Sequence, residues 1–150
     1  MIKYKSINLL IMRNRKEIIM EKVIRNMNFK PLLEKVEYEK LDPPANNSTI
    51  NMRVWDEIKV ERLRSDAVKV VLERNIKPEP KCILSLEVAI GVEVIINPDE
   101  FDKLDDAEDY FKNSQVTRVL ASTAAVVVSN ITLHSPIGAM ITAPVAQLPQ

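Results

Sequence analysis

Glycine, cysteine and histidine are scarce in this sequence of 150 residues, and their scarcity excludes several classes of function. The only glycines are Gly91 and Gly138. Loops that cradle nucleotide phosphates need several glycines close together, so a Walker loop and a dinucleotide-binding loop are excluded. The single cysteine, Cys82, cannot form an internal disulfide, which favours a reducing compartment. The single histidine, His134, lies in a stretch without carboxylates, so no transition-metal site is expected.

Charged residues are absent from the last 32 residues, 119–150, although they make up 28% of the chain. Such a tract must be buried, be covered in an oligomer, or bind apolar partners. The net charge of the whole chain is zero, which gives no general case for binding nucleic acid or a membrane surface. Charge is nevertheless uneven. Residues 1–28 hold seven Lys or Arg and two Glu, a net of +5, while residues 97–109 hold seven Asp or Glu and one Lys, a net of −6.

Apolar and polar residues alternate through the middle of the chain, a pattern that predicts half-buried β-strands. The short connections at 64–66 and 77–80 indicate an antiparallel meander. The Pro- and Asn-rich stretch 42–48 predicts a stiff loop of the kind that crosses a sheet. The alternating runs are 32–41, 50–61, 68–73 and 84–94.

The last third of the chain is predicted to be helical. Asn97 is suited to cap a helix, Pro98 to its first position, and the acids that follow to its positive dipole end. One helix is expected from there to about Lys112, and a second over residues 116–133. Together these elements predict an α+β fold, a four-stranded antiparallel sheet with two helices packed on one face.

The first 28 residues share nothing with the strand pattern that follows them. Their basic composition, with Asn14 suited to cap a helix, predicts a helical amino-terminal appendage over residues 1–28. Residues 29–150 are then the folded domain.

Two stretches of the sequence resemble the SecB-type protein-export chaperones. Residues 29–44 open at a Phe and close in Asp-Pro-Pro, as that family's first strand opens at a Phe and closes in an acidic-x-Pro crossover. Residues 124–131 read Ala-Ala-Val-Val-Val-Ser-Asn-Ile where the family has Ala-Arg-Glu-Val-Ile-Ser-Asp-Leu. Residues 142–145 read Thr-Ala-Pro-Val where the family has Leu-Ala-Pro-Val. With the order of elements, the resemblance covers residues 29–148.

The resemblance implies an ATP-independent holdase chaperone, which hides the apolar side chains of unfolded polypeptides or preproteins in an apolar groove during protein export. It implies a cytoplasmic protein without enzyme activity or cofactor, assembly into a homo-oligomer (dimer or tetramer), and SecA as a partner. A SecB-like chaperone of a toxin–antitoxin module is an equally open alternative. So are two functions outside the family: a purely oligomeric or scaffolding domain, and a domain that binds a small ligand between sheet and helices.

Apolar residues in the irregular segment after the second helix are the best candidates for contacting a client, since no strand or helix pattern accounts for them. Methionine suits such a role because it is flexible and tolerates varied partners. The alternative is that these residues close the core. The predicted client-binding residues of this segment are Ile137, Met140, Ile141 and Val145, and Trp55 is predicted to extend the surface from the sheet. An acidic sheet surface, which the resemblance implies for docking a partner, consists here of Glu37, Glu39, Glu87 and Glu93.

Overall fold

The computed structural model describes residues 22–27, 30–46 and 48–149. The strands are β1 (Ile24–Met27), β2 (Leu32–Lys40), β3 (Asn51–Arg64), β4 (Ala67–Glu79) and β5 (Leu84–Ile96). The helices are α1 (Pro98–Asp102), α2 (Ala107–Lys112) and α3 (Gln115–Thr132). The predicted α+β class with an antiparallel sheet is confirmed.

The sheet is antiparallel, with β5 and β4 at its centre. β3 forms one edge, and β1 and β2 lie end to end along the other edge of β5. The hairpin turn between β3 and β4 falls at Ser65 and Asp66, where the sequence predicts it. Because β2 and β3 lie at opposite edges, the connection 41–50 passes from one side of the sheet to the other, as expected for a crossing loop.

The number of strands differs from the prediction, since five strands replace the expected four. Residues 94–96 of β5 pair with β1, and residues 84–91 pair with β2. Pro31 lies between β1 and β2 and has no N–H to donate to the ladder, which explains why pairing is interrupted there. The sheet therefore has a divided first strand but the expected four-strand width.

β4 is longer than its predicted run, because it continues to Glu79 where a turn is expected at 77–80. Its pairing with β5 ends at Ile76, so beyond that point β4 has only β3 as a neighbour. Pro78 is tolerated there because it no longer sits between two strands.

The first predicted helix is divided as well, since α1 ends at Asp102 and α2 begins at Ala107. The reason is a second N-cap: the Asp106 carboxylate accepts a hydrogen bond from the Asp109 backbone N–H at 3.2 Å. A short acidic side chain competes for backbone donors in this way and starts a new helix. The second predicted helix agrees with α3 within one residue at each end.

The core fills the space between one face of the sheet and the helices. α3 packs on β4 and β5, and α2 packs on β3. Phe111 of α2 and Leu120 of α3 are fully buried. The strand side chains that meet them are fully buried too and include Val68, Val70, Leu72, Leu84, Leu86, Val88 and Ile90.

The predicted appendage falls only partly within the described residues. Val23 is buried, and its carbonyl accepts a hydrogen bond from the Asn97 backbone N–H at 2.8 Å. With β1 paired to β5, residues 23–27 belong to the sheet region. Residues 1–21 lie outside the described residues, and a helical appendage there stays a prediction.

Candidate functional site

The segment after α3 lies at the edge of the sheet formed by β3. We call residues 140–149 the carboxy-terminal strap; they belong to no helix and no strand. The Thr132 hydroxyl, at the end of α3, accepts a hydrogen bond from the Met140 backbone N–H at 2.8 Å. This bond fixes where the strap begins, and its later residues are held by β3 and β4.

A buried ion pair between the two strands holds the strap. Asp56 of β3 and Arg74 of β4 are opposite each other in register, and both are 0% exposed. The Arg74 Nε and Nη2 atoms donate to the Asp56 Oδ1 and Oδ2 atoms, each at 2.8 Å. A planar guanidinium meets a carboxylate in this bidentate way, which fixes the orientation of both groups.

The rest of the Arg74 guanidinium is directed to the strap. Its Nη1 atom donates to the Thr142 hydroxyl at 2.8 Å and to the Ala143 carbonyl at 2.7 Å. Its Nη2 atom donates to the Val145 carbonyl at 3.1 Å. Since arginine has five N–H donors, all of them are matched by acceptors.

Asp56 completes the attachment through Gln147. The Asp56 backbone N–H donates to the Gln147 carbonyl at 2.8 Å, and the Gln147 N–H donates to the Asp56 Oδ2 atom at 2.7 Å. Polar groups of the strap that would otherwise lack partners are thereby satisfied by one pair of charges.

A shallow, open groove with a volume of about 440 Å³ lies between the strap and the sheet edge, lined by apolar side chains together with polar groups of the strap. Met52 and Val54 of β3 form one side, and Met140 and Ile141 of the strap form the other. The Ile141 side chain is 86% exposed, while Met140 is half-buried against the core. The groove continues along the strap to Thr142, Ala143 and Gln147.

The predicted client-binding residues do not form one surface. Met140 and Ile141 line the groove, and Ile137 and Val145 are exposed outside its lining. Trp55 lies on the opposite face of the sheet, because successive side chains of a strand point to opposite faces and Val54 faces the groove.

Trp55 instead contributes to a trough of about 780 Å³ on the face of the sheet that the helices leave open. The Arg53 guanidinium lies 5.3 Å and the Lys77 ammonium 5.9 Å from the centroid of the indole ring. Cations at such distances from an aromatic face are attracted by it, which holds the ring in place. The trough is also lined by three of the predicted acidic residues, Glu37, Glu39 and Glu87.

Cations partly neutralise this acidic surface. Lys35 lies 3.2 Å from a Glu87 carboxylate oxygen and 3.4 Å from one of Glu37, and Lys77 lies 3.4 Å from the other Glu87 oxygen. The hydrogen bond from Lys35, helped by Lys77, lowers the pKa of the Glu87 carboxyl and keeps it ionised. Glu93 lies outside the trough and pairs with Arg64 at 2.8 Å.

Docking of a partner through these carboxylates stays a prediction. It must compete with the existing ion pairs of three of the four residues, and only Glu39 lacks one among the described residues. Exposed ion pairs of this kind are weak, so a partner could break them at little cost in free energy. Their main effect is to lower the net negative charge of this surface.

A second exposed apolar surface lies along β2, where all nine residues are exposed. Leu33, Val36 and Tyr38 pair in register with buried residues of β5, so they point to the helix-covered face. They nevertheless remain 53%, 40% and 42% exposed, because α3 packs on β4 and β5 and does not extend over this edge.

Sequence reasoning missed the Asp56–Arg74 pair, although the sequence contains a sign of it. Each residue interrupts an apolar run at a position that faces the core: Asp56 lies between Val54 and Ile58, and Arg74 between Leu72 and Ile76. Opposite charges on the apolar side of consecutive strands of a hairpin predict a buried pair once the register is known.

The two remaining candidates for chemistry, Cys82 and His134, do not line the groove. Cys82 is buried and acts as a small apolar residue, while His134 is exposed directly after α3. Within residues 22–27, 30–46 and 48–149, no three His, Cys, Asp or Glu side chains come together as metal ligands would. No helix of the described chain is long and apolar enough to span a membrane.

Comparison with known proteins yields a match in structure and none in sequence. No protein-family model matches the chain, and no curated protein does. A similar solved structure is the Mycobacterium tuberculosis SecB-like chaperone Rv1957, in complex with a ChAD peptide from the Rv1956 HigA1 antitoxin. The TM-score is 0.61 at 9% identity, over 83% of this chain and 92% of that one. The divided first strand, the meander, the crossing connection and the long last helix therefore make up a SecB-like fold.

Proposed function

We propose that this chain is a SecB-like holdase chaperone, which binds unfolded polypeptides without ATP and without catalysing a reaction. The observation that carries the proposal is the groove beside the strap, where Ile141 exposes 86% of its surface next to Met52, Val54 and Met140. The SecB-like fold supports it. The scarcity of glycine, which excludes the common nucleotide-binding loops, agrees with ATP-independent action. The single cysteine is compatible with the proposed location in the cytoplasm, a reducing compartment.

The groove suits an unfolded client for physical reasons. An unfolded chain exposes apolar side chains, and each one buried in an apolar groove contributes about 1.5–3 kcal/mol. Two methionines, Met52 and Met140, line the groove, and their flexible thioether side chains adapt to varied partners. No charged residue lies in its lining, so little charge has to be desolvated when an apolar segment enters.

Ile141→Ser should weaken client binding roughly ten- to hundredfold, the equivalent of losing the burial of one large aliphatic side chain. Its thermal midpoint should stay within about 2 °C of the parent, because substitutions of exposed residues change stability little. The measurements are the Kd for a reduced, carboxymethylated polypeptide that stays unfolded, suppression of aggregation of a denatured protein, and a melting curve.

Leu63→Ser is the matched control, since Leu63 is an aliphatic residue that is 44% exposed on β3, about 30 Å from Val54 along the strand and outside the groove. It should leave client binding unchanged. Equal effects of the two substitutions would show that the groove is not the binding surface. A parent protein that neither binds the client nor suppresses aggregation would contradict the holdase function itself.

The exposed apolar face of β2 supports the further expectation of self-association. Leu33, Val36 and Tyr38 form an exposed row on β2, which pairs only with β5 among the described residues, and such surfaces in soluble proteins are usually covered by a partner. A second copy of the chain is the simplest cover, which gives a dimer or a larger homo-oligomer.

Light scattering at micromolar concentration should accordingly report a molar mass of a dimer or more. Val36→Lys should lower that mass, because an ammonium group would be buried in the contact. Leu63→Lys should not. A monomeric parent protein would contradict the self-association, and an oligomer without holding activity would favour the scaffolding function instead.

The nature of the client has a second candidate. The similar chaperone from Mycobacterium tuberculosis is bound to a peptide from an antitoxin, so an antitoxin segment is an alternative to a preprotein. Titration of the two kinds of peptide against the parent protein, each repeated with Ile141→Ser, distinguishes them by relative affinity and shows whether both use the groove.

A further inference from the structure

We propose that Asp56 and Arg74 are positioning residues for the client groove: their pair holds the carboxy-terminal strap at the distance from β3 that leaves the groove open and apolar. The inference rests on the proposed function, because it assigns a role in client binding to two residues that a client does not touch. The supporting observation is that the Arg74 guanidinium donates hydrogen bonds both to Asp56 in the sheet and to the strap.

The polar attachment of the strap along this stretch depends on the two charged residues. Between Thr142 and Gln147 it forms no strand, and within the described part of the chain its hydrogen bonds to the sheet all involve Asp56 or Arg74. Ala146 and, outside this stretch, Met140 and Leu148 pack against the core, whereas Ile141 and Val145 do not. Because no large apolar side chain between Thr142 and Gln147 packs there, the polar bonds contribute much of what keeps this stretch in place.

The pair also acts at the right position. Thr142 and Ala143, the strap residues that Arg74 binds, directly follow Met140 and Ile141 and line the same groove. On β3, Asp56 is two residues from Val54, which lines the opposite side. Both sides of the groove are therefore anchored to one rigid bidentate pair, and releasing the strap would remove one of them.

Arginine suits this role where lysine would not. The guanidinium satisfies Asp56 with two donors and still has three donors for the Thr142 hydroxyl and for the Ala143 and Val145 carbonyls. Lysine has three donors on one atom and cannot span the carboxylate and the strap in a plane. An arginine at position 74 therefore fits the positioning role and also neutralises the charge of Asp56.

Asp56→Leu combined with Arg74→Met tests the proposal, since it removes both charges and keeps apolar volume in the sheet. Such replacements of a buried pair usually leave a fold intact, whereas the strap acceptors lose their donor and must turn to water. Exchange at the strap contact, read at the backbone N–H of residue 56, which donates to the Gln147 carbonyl, and at the Gln147 N–H, should then be about tenfold faster or more, with no change in the interior of β4 and β5. If the strap is in place a tenth of the time, client affinity falls about tenfold.

Glu73→Leu combined with Lys59→Met is the matched control. This pair, 3.5 Å apart, joins the same two strands on the face away from the strap, so exchange in the strap and client affinity should both stay unchanged. Faster exchange in the strap with weaker client binding, in the first double variant alone, supports the proposal.

Unchanged exchange, or faster exchange with unchanged client affinity, overturns the proposal. A parent protein that binds no client overturns the proposed function instead, and the exchange measurement still reports whether the pair holds the strap. The two failures are therefore distinguishable.

Discussion

Arg74→Met with Asp56 retained should destabilise the protein by about 3–5 kcal/mol, one of the largest effects expected of any single substitution in this chain. The carboxylate of Asp56 would keep its place at 0% exposure with its guanidinium partner gone. An uncompensated charge in a buried position is far more costly than the loss of the pair as a whole, because its desolvation is no longer offset by attraction.

Urea unfolding monitored by the fluorescence of Trp55 measures this loss as a lower midpoint at an unchanged slope. Arg53→Met is the control: Arg53 pairs with Glu79 at 3.1 Å, but the two side chains are 61% and 62% exposed. An exposed pair contributes about 0–1 kcal/mol, and the contact of Arg53 with the Trp55 ring a similar amount, so the control should lose no more than about 2 kcal/mol.

The double variant Asp56→Leu with Arg74→Met should recover most of the stability lost by the single one. That recovery would attribute the loss to the orphaned charge rather than to altered packing around position 74. A single variant that loses less than about 1 kcal/mol would contradict the buried pair, because it would mean that Asp56 reaches water in the folded protein.

Leu120→Ala is the second large effect, with an expected loss of about 2–5 kcal/mol. Leu120 is 0% exposed on α3, at the contact of that helix with β4 and β5. Truncation removes the transfer free energy of the side chain and leaves a cavity that the surrounding strands fill only in part. Differential scanning calorimetry should show this as a lower thermal midpoint.

Leu133→Ala provides a matched control, since Leu133 follows the end of the same helix and is 54% exposed. The substitution is chemically identical, and the expected loss is about 1 kcal/mol or less. Comparable losses at the two positions would contradict the packing of α3 on the sheet. Client binding at temperatures well below the transition should survive both substitutions, because neither residue lines the groove.

The apolar residues of the described chain are divided between three surfaces. The buried face of the central strands β4 and β5 holds the fold together. The row on β2 and the groove at the opposite edge of the sheet are both exposed. Under the proposed function, this separation would let one small domain bind a second copy and a client at the same time.

The strands and the last helix could be predicted from the sequence because their patterns are local. The alternation in β3 and β5 directly reflects one buried and one open face, and the ends of α3 agree with the prediction. The bounds of α3 do not show which of its apolar residues are buried: Val116 and Leu120 are buried, whereas Val127 and Ile131 are buried only in part. Which side of a helix is covered depends on the sheet that it meets.

The candidate site was predictable only in outline. The tract after α3 was expected to be irregular and apolar, and Met140 and Ile141 do line a groove. Trp55 was grouped with them, but its parity places it across the sheet among Glu37, Glu39 and Glu87. A sequence shows which residues of a strand share a face, but it does not show which face the next segment of chain will cover.

The sequence by itself determined the fold class, the hairpin between β3 and β4, the last helix and the crossing connection, because each depends on neighbouring residues along the chain. The tertiary structure alone decided the partnership of Asp56, Arg74 and the strap, whose members are up to 91 residues apart. It also decided that β2 stays uncovered while β4 and β5 are buried. Both outcomes follow from sheet order and register, which bring together groups that have no relation in sequence.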